Sequence, residues 1–224
     1  MERRVNNGRL RPQKPSERER LTQLLLYERQ LKKSGINQIA GVDEAGRGPL
    51  AGPVVAAACV IRNEHWFEGI DDSKQLTFKK RAYLFSKLTQ SSDVDYGIGV
   101  VDPETIDRIN ILEATFLAMQ AGLGQLKVKP DFVLIDGGSV KGIDFPFQCI
   151  VKGDSKCYSI AAASILAKHY RDEIMLKWHH AYPHYHFDKN KGYGTKEHRH
   201  ALEVFGPSPI HRRSFVPKKL GVHL

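Results

Sequence analysis

The chain carries five short apolar segments, separated by polar or glycine-containing stretches. They lie at residues 39–42, 54–61, 94–101, 132–135 and 147–151. Each spans four to eight residues, the usual length of a buried strand. The first three segments suit an antiparallel meander, whereas the last two alternate with helical segments. The pattern therefore predicts an α/β fold built on a mixed five-stranded sheet.

Helical segments are marked by apolar residues at helical spacing and by capping residues. They are predicted at residues 16–35, 77–87, 110–126, 153–178 and 195–205, with a short helix opening at residues 102–103. The predicted N-terminal caps are Ser16, Thr77 and Thr195. We expect these helices to cover both faces of the sheet, because each face of a mixed sheet must be buried.

Composition places the chain among globular proteins. At 224 residues and 41% hydrophobic, it can bury a full core as one domain. No segment is long and apolar enough to cross a bilayer, and the basic N-terminus lacks the apolar stretch of a secretory signal. The cysteines Cys59, Cys149 and Cys157 show no metal-binding spacing. We expect buried thiols in a reducing, cytoplasmic protein.

The net charge of +9 is distributed unevenly. Lysine and arginine outnumber the acids by ten to four in residues 1–37 and by eight to two in residues 189–224. The body between them has sixteen basic residues and nineteen acids. Basic ends that hold a polyanion, while acids in the body hold metal ions, would explain this division. Charged ends also simply keep a protein in solution, so both interpretations stay open.

Four acids lie where strands are predicted to end. Asp43 and Glu44 follow the first apolar segment and precede the glycine-rich turn 46–49, and Asp136 follows the fourth segment. If the first and fourth strands are parallel neighbours, Asp43 and Asp136 emerge at the same edge of the sheet. Asp154 lies where a strand gives way to a helix and could reach that edge. Clustered carboxylates repel each other, and their oxygens select Mg²⁺ or Mn²⁺ over zinc.

Simpler roles remain open for each of these acids. Asp43 and Glu44 could belong to a solvated hairpin turn, and Asp136 to an ordinary Asp-Gly-Gly turn. Asp154 could cap the helix that follows it, which is a common role for aspartate. The residue pattern alone does not choose between these roles and a metal site.

Seven motifs, in order along the chain, match one family. They are DEAGRGPLAGPV (43–54), DSKQLT (72–77), NILEATFLAM (110–119), LIDGG (134–138), GDSKCYSIAAASILAKHYRD (153–172), YPHYHFDKNKGYGTKEH (182–198) and HRRSF (211–215). On these motifs the chain resembles bacterial ribonuclease HII, of the ribonuclease H-like superfamily, from about residue 38 to residue 217. The intact GRG turn and the short N-terminus favour this type over the related HIII type.

The resemblance implies a ribonuclease H-like fold and a divalent-metal-dependent endoribonuclease that cuts RNA in RNA–DNA hybrids and incises at single ribonucleotides in duplex DNA. Two Mg²⁺ or Mn²⁺ ions would act there, leaving 3′-hydroxyl and 5′-phosphate ends. The implied ligands are Asp43, Glu44, Asp136 and Asp154. The implied regions are a basic arm with a helix (1–37), a catalytic core (38–178) and a helical, basic, substrate-binding extension (179–224). A monomer without membrane contact is expected.

The resemblance also assigns substrate-binding residues outside the acidic group. They are Gly46, Arg47, Gly48, Ser73, Lys74, Lys168, Arg171 and Tyr193. The glycine-rich turn matches the backbone that reads the ribose 2′-hydroxyl, and the tyrosine matches the residue at the RNA-to-DNA junction. The two lysines and Arg171 are expected to contact phosphates. Ordinary solvated charges, and simple packing for the tyrosine, are the alternatives.

Two other interpretations of the sequence are open. Four histidines close in sequence suggest a transition-metal site, but their spacing matches no zinc pattern: His179, His180, His184 and His186. The competing hypothesis for the whole chain is a basic module that binds duplex nucleic acid without cutting it. That hypothesis gives no reason for four acids at the ends of strands and helices, so the nuclease is favoured.

Overall fold

One five-stranded sheet forms the centre of the protein, in the order β3-β2-β1-β4-β5. The computed structural model describes residues 16–62 and 66–215. The strands are β1 (Ile39–Ala45), β2 (Val54–Ile61), β3 (Val94–Val101), β4 (Phe132–Asp136) and β5 (Phe147–Ile150). The first three form an antiparallel meander, and β4 runs parallel to both β1 and β5. The predicted mixed sheet is therefore confirmed.

Each predicted helix is present in the described residues, the first one as two helices, and the short helix Phe187–Asn190 lies in a segment that was predicted to be a loop. They are α1 (Glu17–Leu24), α2 (Leu26–Lys33), α3 (Phe78–Gln90), α4 (Pro103–Ile109), α5 (Ile111–Leu123), α6 (Tyr158–Ala181), α7 (Phe187–Asn190) and α8 (Lys196–Phe205). All three predicted side-chain caps are confirmed: Ser16, Thr77 and Thr195. The first predicted helix is divided at Leu25, which is buried in one core cluster with Leu21 and Leu24.

Strand β2 contributes to a hydrophobic core on each face of the sheet, because its side chains point alternately to the two sides. One core joins it to α1, α3 and α6 through Val55, Ala57 and Cys59. The other joins it to α4 and α5 through Val54, Ala56, Ala58 and Val60. The expectation of helices on both faces is confirmed.

Glycines let two helices approach the sheet more closely than side chains would allow. A Cβ atom built on Gly41 of β1 would lie 2.1 Å from the backbone carbonyl carbon of Ser159 in α6. On the other face, Cβ atoms on Gly97 and Gly99 of β3 would lie 2.1 and 2.0 Å from carbonyl oxygens of α5. Because these contacts involve helix backbone, the glycines fix the distance of α5 and α6 from the sheet.

We expect Gly41→Ala to lower the free energy of unfolding by about 3 kcal/mol, since the added methyl group overpacks against backbone and displaces a whole helix. Gly138→Ala is the matched control, because a Cβ atom there meets no atom within 4 Å. Urea unfolding followed by circular dichroism measures both variants. Wild-type stability of Gly41→Ala would contradict the close approach of α6 to β1.

Residues 182–215 form the expected C-terminal helical extension and pack onto the turn between β1 and β2. A separate core cluster contains Tyr185, Phe187 and Ile210 from the extension and Ala51 from the turn. Ala51 also forms an antiparallel bridge with His211. The extension therefore lies against the chain that connects the first two strands.

Some predictions concern parts that the structure does not describe or test. The basic arm, residues 1–15, and the chain end, residues 216–224, lie outside the described residues. The three-region division stays a prediction. Cys59 and Cys157 are buried free thiols, and Cys149 is partly exposed. Within residues 16–62 and 66–215, no helix combines the length and apolar character needed to cross a membrane.

Candidate active site

Three carboxylates from three different elements meet beside the ends of β1 and β4. The two strands pair in parallel, which brings Asp43 and Asp136 to the same level. Asp154 comes from a 3₁₀ turn, Gly153–Ser155, that follows β5. One oxygen from each of the three aspartates lies within 4.8 Å of the other two. The sheet topology thus joins residues that are far apart in sequence.

The 3₁₀ turn is tied to Asp136 through its backbone. Gly153 N donates a hydrogen bond to Asp136 Oδ1 at 2.6 Å. A Cβ atom on Gly153 would lie 2.6 Å from Cδ1 of Ile160, so the close approach depends on glycine. This turn replaces the start of the helix predicted at residues 153–178, and the N-cap of α6 is Cys157. Asp154 therefore does not cap that helix but joins the acidic group.

Burial and nearby negative charge disfavour the ionised forms of Asp43 and Asp136. The pKa of Asp43 is raised well above its ordinary value by burial, and further by the charges of Glu44 and Asp136. Burial likewise raises the pKa of Asp136, and the charge of Asp154 adds to the effect. Lys74 balances part of the charge, because its Nζ lies 3.3 Å from Asp154 Oδ2. A divalent cation would remove the remaining repulsion.

Two buried serines support Asp43 from the side of α6. Ser164 hydrogen-bonds the Asp43 carboxyl group, and its Oγ lies 2.8 Å from Ser73 Oγ. Only 2% of Ser73 is exposed, which leaves no surface for a substrate. The expected substrate contact of Ser73 is therefore corrected: the residue positions Ser164, and through it Asp43.

Glu44 lies beside the acidic group but outside it. Adjacent residues in a strand point to opposite faces, so the side chains of Asp43 and Glu44 diverge. Glu44 Oε1 instead accepts a hydrogen bond from Arg47 Nη1 at 3.4 Å. Burial raises the pKa of Glu44, the charge of Arg47 opposes the shift, and the charge of Asp136 adds to it.

Two buried arginines hold the glycine-rich turn from the inside. Arg212 donates to the carbonyl oxygens of Gly46 and Arg47 in the turn and of Gly52 shortly after it, at 2.6–3.0 Å. Arg171 of α6 donates to three others at 2.9–3.1 Å, those of Ala51, Pro53 and Lys191. Burial lowers the pKa of Arg171 to about 10 and that of Arg212 to about 9, so both stay charged at neutral pH. Six hydrogen bonds to side chains thus fix the conformation of the turn and of the adjoining loop.

The turn and Tyr193 lie side by side. Gly46 has φ +98°, and a Cβ atom there would lie 2.0 Å from Nε of Arg171, so both conformation and space require glycine. A Cβ atom on Gly48 would have room, and its nearest neighbour would be Cε1 of Tyr193 at 3.8 Å. Tyr193 is 44% exposed, so its ring can face a ligand that lies on the turn.

Comparison with known proteins decides the family. The family model described as Ribonuclease HII matches residues 40–218. The chain belongs to the ribonuclease HII family. The ribonuclease HII of Chlamydia muridarum is 55% identical over 194 residues, which are 87% of this chain and 89% of that protein. The ribonuclease HII of Chlamydia pneumoniae is 48% identical over 204 residues, 91% and 95% of the two chains.

Solved structures of ribonuclease HII relatives confirm the predicted ribonuclease H-like α/β fold. The ribonuclease H2 of Pyrococcus horikoshii is 31% identical, with a TM-score of 0.69 over 82% of this chain and 96% of that one. A ribonuclease HIII termed Bst-RNase HIII, solved in complex with Mn²⁺, has the same fold at 22% identity, with a TM-score of 0.68 over 88% and 72% of the chains. As a ribonuclease HII, the chain is an endoribonuclease of the ribonuclease H type 2 class, in which metal dependence is a family property.

One of the three expected phosphate contacts does not fit its position in the structure. Arg171 is 1% exposed and binds carbonyl oxygens of the protein, so phosphate contact is corrected to support of the turn. Lys168 Nζ lies 2.6 Å from Asp172 Oδ1, and 23% of its side chain is exposed, so its contact with a phosphate stays a prediction. The side chain of Lys74 is 73% exposed beside Asp154, where phosphate contact stays a prediction.

The four neighbouring histidines of the ribonuclease HII chain do not form a metal site. His179 faces Asp188, with 3.3 Å between Nδ1 and Oδ1, and His184 packs between the rings of Tyr185 and Phe205. In the part of the chain that the structure describes, the group with metal-holding geometry is the aspartate cluster.

Sequence reasoning missed Arg212, Ser164, His198 and His211. Arg212 and His211 lie in the HRRSF motif, and His198 closes the YPHYHFDKNKGYGTKEH motif, but the motifs state no role for them. Ser164 is a polar residue in an alanine-rich helical run. Their positions within the motifs were the available signal, and only the contacts in the structure could say what each side chain binds.

Proposed function

We propose that this chain hydrolyses the RNA strand of RNA–DNA hybrids and incises duplex DNA on the 5′ side of single embedded ribonucleotides. The expected ends are a 3′-hydroxyl and a 5′-phosphate. The proposal depends above all on the oxygen cluster of Asp43, Asp136 and Asp154, within 4.8 Å of one another. An anchored glycine-rich turn and the exposed ring of Tyr193 beside it supply the second half of a nuclease site.

The donor set fits a divalent cation such as Mg²⁺ or Mn²⁺, and we propose that two of them act during catalysis. Its ligands are carboxylate oxygens, which both ions prefer, and no histidine or cysteine belongs to the cluster found in the described residues. The Mn²⁺ complex of Bst-RNase HIII supports manganese as one candidate. Bound cations would activate a water molecule and stabilise the leaving 3′-oxygen. Glu44 is the proposed fourth ligand.

The residues around the cluster would place the substrate. The backbone of Gly46–Gly48 would read the ribose 2′-hydroxyl, the group that distinguishes RNA from DNA. Lys74 Nζ, now 3.3 Å from Asp154, would turn to a phosphate oxygen once a cation neutralises that carboxylate. The buried charges of Arg171 and Arg212 would favour approach of a phosphodiester to an otherwise acidic site.

The proposed partners are RNA–DNA hybrids and DNA duplexes that contain ribonucleotides. The net charge of +9 supports a polyanion partner, since phosphate contacts release counterions. We propose that the chain acts as a monomer in the cytoplasm, where such duplexes arise in bacteria.

Cleavage of matched duplexes tests the proposal. One duplex carries a single ribonucleotide, one a continuous RNA strand and one only DNA, each with Mg²⁺, with Mn²⁺ or with EDTA. We expect metal-dependent incision 5′ of the ribonucleotide, cutting of the RNA strand and no cutting of DNA. Binding without cleavage in either metal would overturn the proposal and favour a non-catalytic nucleic-acid module.

Tyr193 is expected to act through its ring. Tyr193→Phe keeps the aromatic face and should keep most of the activity, whereas Tyr193→Ala should lose about tenfold to a hundredfold, the worth of one stacking contact. The loss should be larger with a single ribonucleotide than with continuous RNA, because only one junction is then available. Tyr83→Ala, at a tyrosine that is 59% exposed on α3, is the control. Equal losses on both substrates would contradict junction reading.

A further inference from the structure

Two buried histidines connect the C-terminal segment to the backbone of Tyr193. Nδ1 of His198 lies 2.9 Å from the carbonyl oxygen of Tyr193, and Nε2 of His198 lies 2.9 Å from Nε2 of His211. At the far end, Ser208 N donates to Nδ1 of His211 at 2.9 Å, and Ser208 Oγ lies 2.8 Å from the same atom. Tyr193, His198, His211 and Ser208 thus form one continuous series of hydrogen bonds, called the histidine chain below.

The two groups at the ends of the histidine chain determine which ring nitrogen of each histidine carries a proton. The Tyr193 carbonyl oxygen only accepts, so Nδ1 of His198 carries a proton. The Ser208 backbone N–H only donates, so Nδ1 of His211 carries none, and the neutral ring holds its proton on Nε2. That proton points at Nε2 of His198, which accepts it. Both ends therefore require the same arrangement, with one neutral tautomer for each ring.

A second proton on either imidazole ring would disrupt the hydrogen bonds of the histidine chain. If His211 were doubly protonated, its Nδ1–H would face the backbone N–H of Ser208. If His198 were doubly protonated, its Nε2–H would face the Nε2–H of His211. The rings of Tyr185 and Phe187 pack against both imidazoles, and the Tyr185 hydroxyl donates to Gly206 O instead. Burial lowers the pKa of both histidines, and that of His211 falls to about 3, with the charge of His198 as the second cause.

The charged groups nearby face other partners. In the hydrogen bonds and ring contacts found for the two imidazoles in the described part of the chain, no carboxylate takes part. The guanidinium of Arg212, next along the chain from His211, binds the turn carbonyls. Neutral rings therefore suit the environment on every packed side.

The histidine chain also connects Tyr193 to the glycine-rich turn. His211 pairs with Ala51 in the isolated bridge, and Arg212 holds the carbonyls of Gly46 and Arg47. The residue before Tyr193 contributes as well, since Gly192 O accepts from Leu50 N at 2.8 Å. Tyr193 and the turn are thus held in one common frame.

We propose that His198 and His211 are positioning residues, which hold Tyr193 beside the Gly46–Gly48 turn through one fixed neutral tautomer each. The inference rests on the proposed function, because it gives the Tyr193 ring a place against the ribose at the junction. The substrate never touches either imidazole, and the effect reaches it through the Tyr193 backbone.

Two variants of His198 separate positioning from general stability. Asparagine places its amide nitrogen near Nδ1 and keeps the donor to Tyr193 O, whereas glutamine places its amide group near Nε2 and loses that donor. Asparagine loses the contact with His211, whereas the glutamine amide oxygen can still accept from Nε2 of His211. We expect His198→Gln to lose about tenfold in kcat on a single-ribonucleotide duplex, as misplaced contacts do, and His198→Asn to recover most of it. His200→Gln, on the exposed side of α8, is the control. Equal losses in both variants would overturn the positioning role.

The tautomers can be measured without any cleavage. Long-range ¹H–¹⁵N NMR spectra of the full chain at pH 7, without substrate or metal, should show His198 protonated at Nδ1 and His211 at Nε2. The opposite tautomer, or a doubly protonated ring, would overturn the inference. Failure of the wild type to cut any duplex would instead overturn the proposed function and the role given to Tyr193. Other tautomers in a wild-type protein that cuts the duplexes would overturn the positioning role of the histidines and leave the proposed function intact.

Discussion

Asp43→Asn and Asp136→Asn should each reduce metal-dependent cleavage by at least about a thousandfold, because a bound cation contributes several kcal/mol to the transition state. Either substitution removes charge from the site that would hold the metal. Asp43 and Asp136 lie at the ends of neighbouring parallel strands, so neither can take over the role of the other. Cleavage of the single-ribonucleotide duplex at saturating Mg²⁺ and at saturating Mn²⁺ measures the loss.

The same substitutions should leave the metal-free fold as stable as the wild type, or more stable. The folded pKa values of Asp43 and Asp136 are raised, mainly by burial. A carboxyl group whose pKa is higher in the folded than in the unfolded protein stabilises the fold at low pH, where it is protonated. That stabilisation is lost as the pH rises through the folded-state pKa. Asparagine stays uncharged at pH 7 and so avoids the cost of a buried negative charge. The melting temperature of each variant at pH 7 in EDTA should therefore not fall below that of the wild type.

Asp144→Asn is the matched control, because Asp144 is exposed and outside the metal-holding group. It should keep wild-type cleavage. Near-normal turnover of Asp43→Asn or Asp136→Asn in both metals would remove the basis for the assigned site. Unfolding of these variants in EDTA would show that the carboxylates serve the fold rather than the reaction.

Arg212→Met should lower the free energy of unfolding by about 4 kcal/mol and abolish most of the cleavage, because it leaves buried carbonyl groups without donors. The three affected oxygens belong to Gly46, Arg47 and Gly52. Methionine reaches about as far as the Nε position of arginine, so the change keeps the apolar stem and removes the guanidinium group with its hydrogen bonds. Urea unfolding gives the stability, and cleavage at a temperature where the variant is folded gives the activity.

Arg213→Met, at the exposed neighbour of Arg212, is the control for loss of one positive charge. Its backbone N–H donates to Asp107 Oδ2 at 2.7 Å, a bond that the substitution retains. We expect wild-type stability and a small change in substrate affinity at low salt. Equal effects of the two variants would mean that Arg212 acts by its charge alone, and not by holding the turn.

The strands could be predicted because their signal is local. Apolar runs between turns placed β3 at the observed residues, and side-chain caps placed the starts of α1, α3 and α8. The errors concern segments where packing overrides local preference. Helix 16–35 is divided at Leu25, which is buried with its neighbours, and residues 153–155 form a 3₁₀ turn because Gly153 must approach Asp136.

The candidate site was predictable in part. Acids at strand ends, together with the family motifs, indicated Asp43, Asp136 and Asp154. The motifs could not distinguish the arginine that holds the turn from one that contacts a phosphate, as the error for Arg171 shows. Burial decides between these roles, and a charged residue type gives no sign of its own burial.

By itself, the sequence determined the strands, the caps and the acidic residue types, because each depends on neighbours within a few positions. The tertiary structure alone decided which groups meet. Parallel pairing of β1 with β4 brings Asp43 to Asp136, and packing of the C-terminal segment brings Arg212 under the turn. The same packing joins His198 to His211. Contacts between residues so distant in sequence depend on topology and on close packing, which no local pattern encodes.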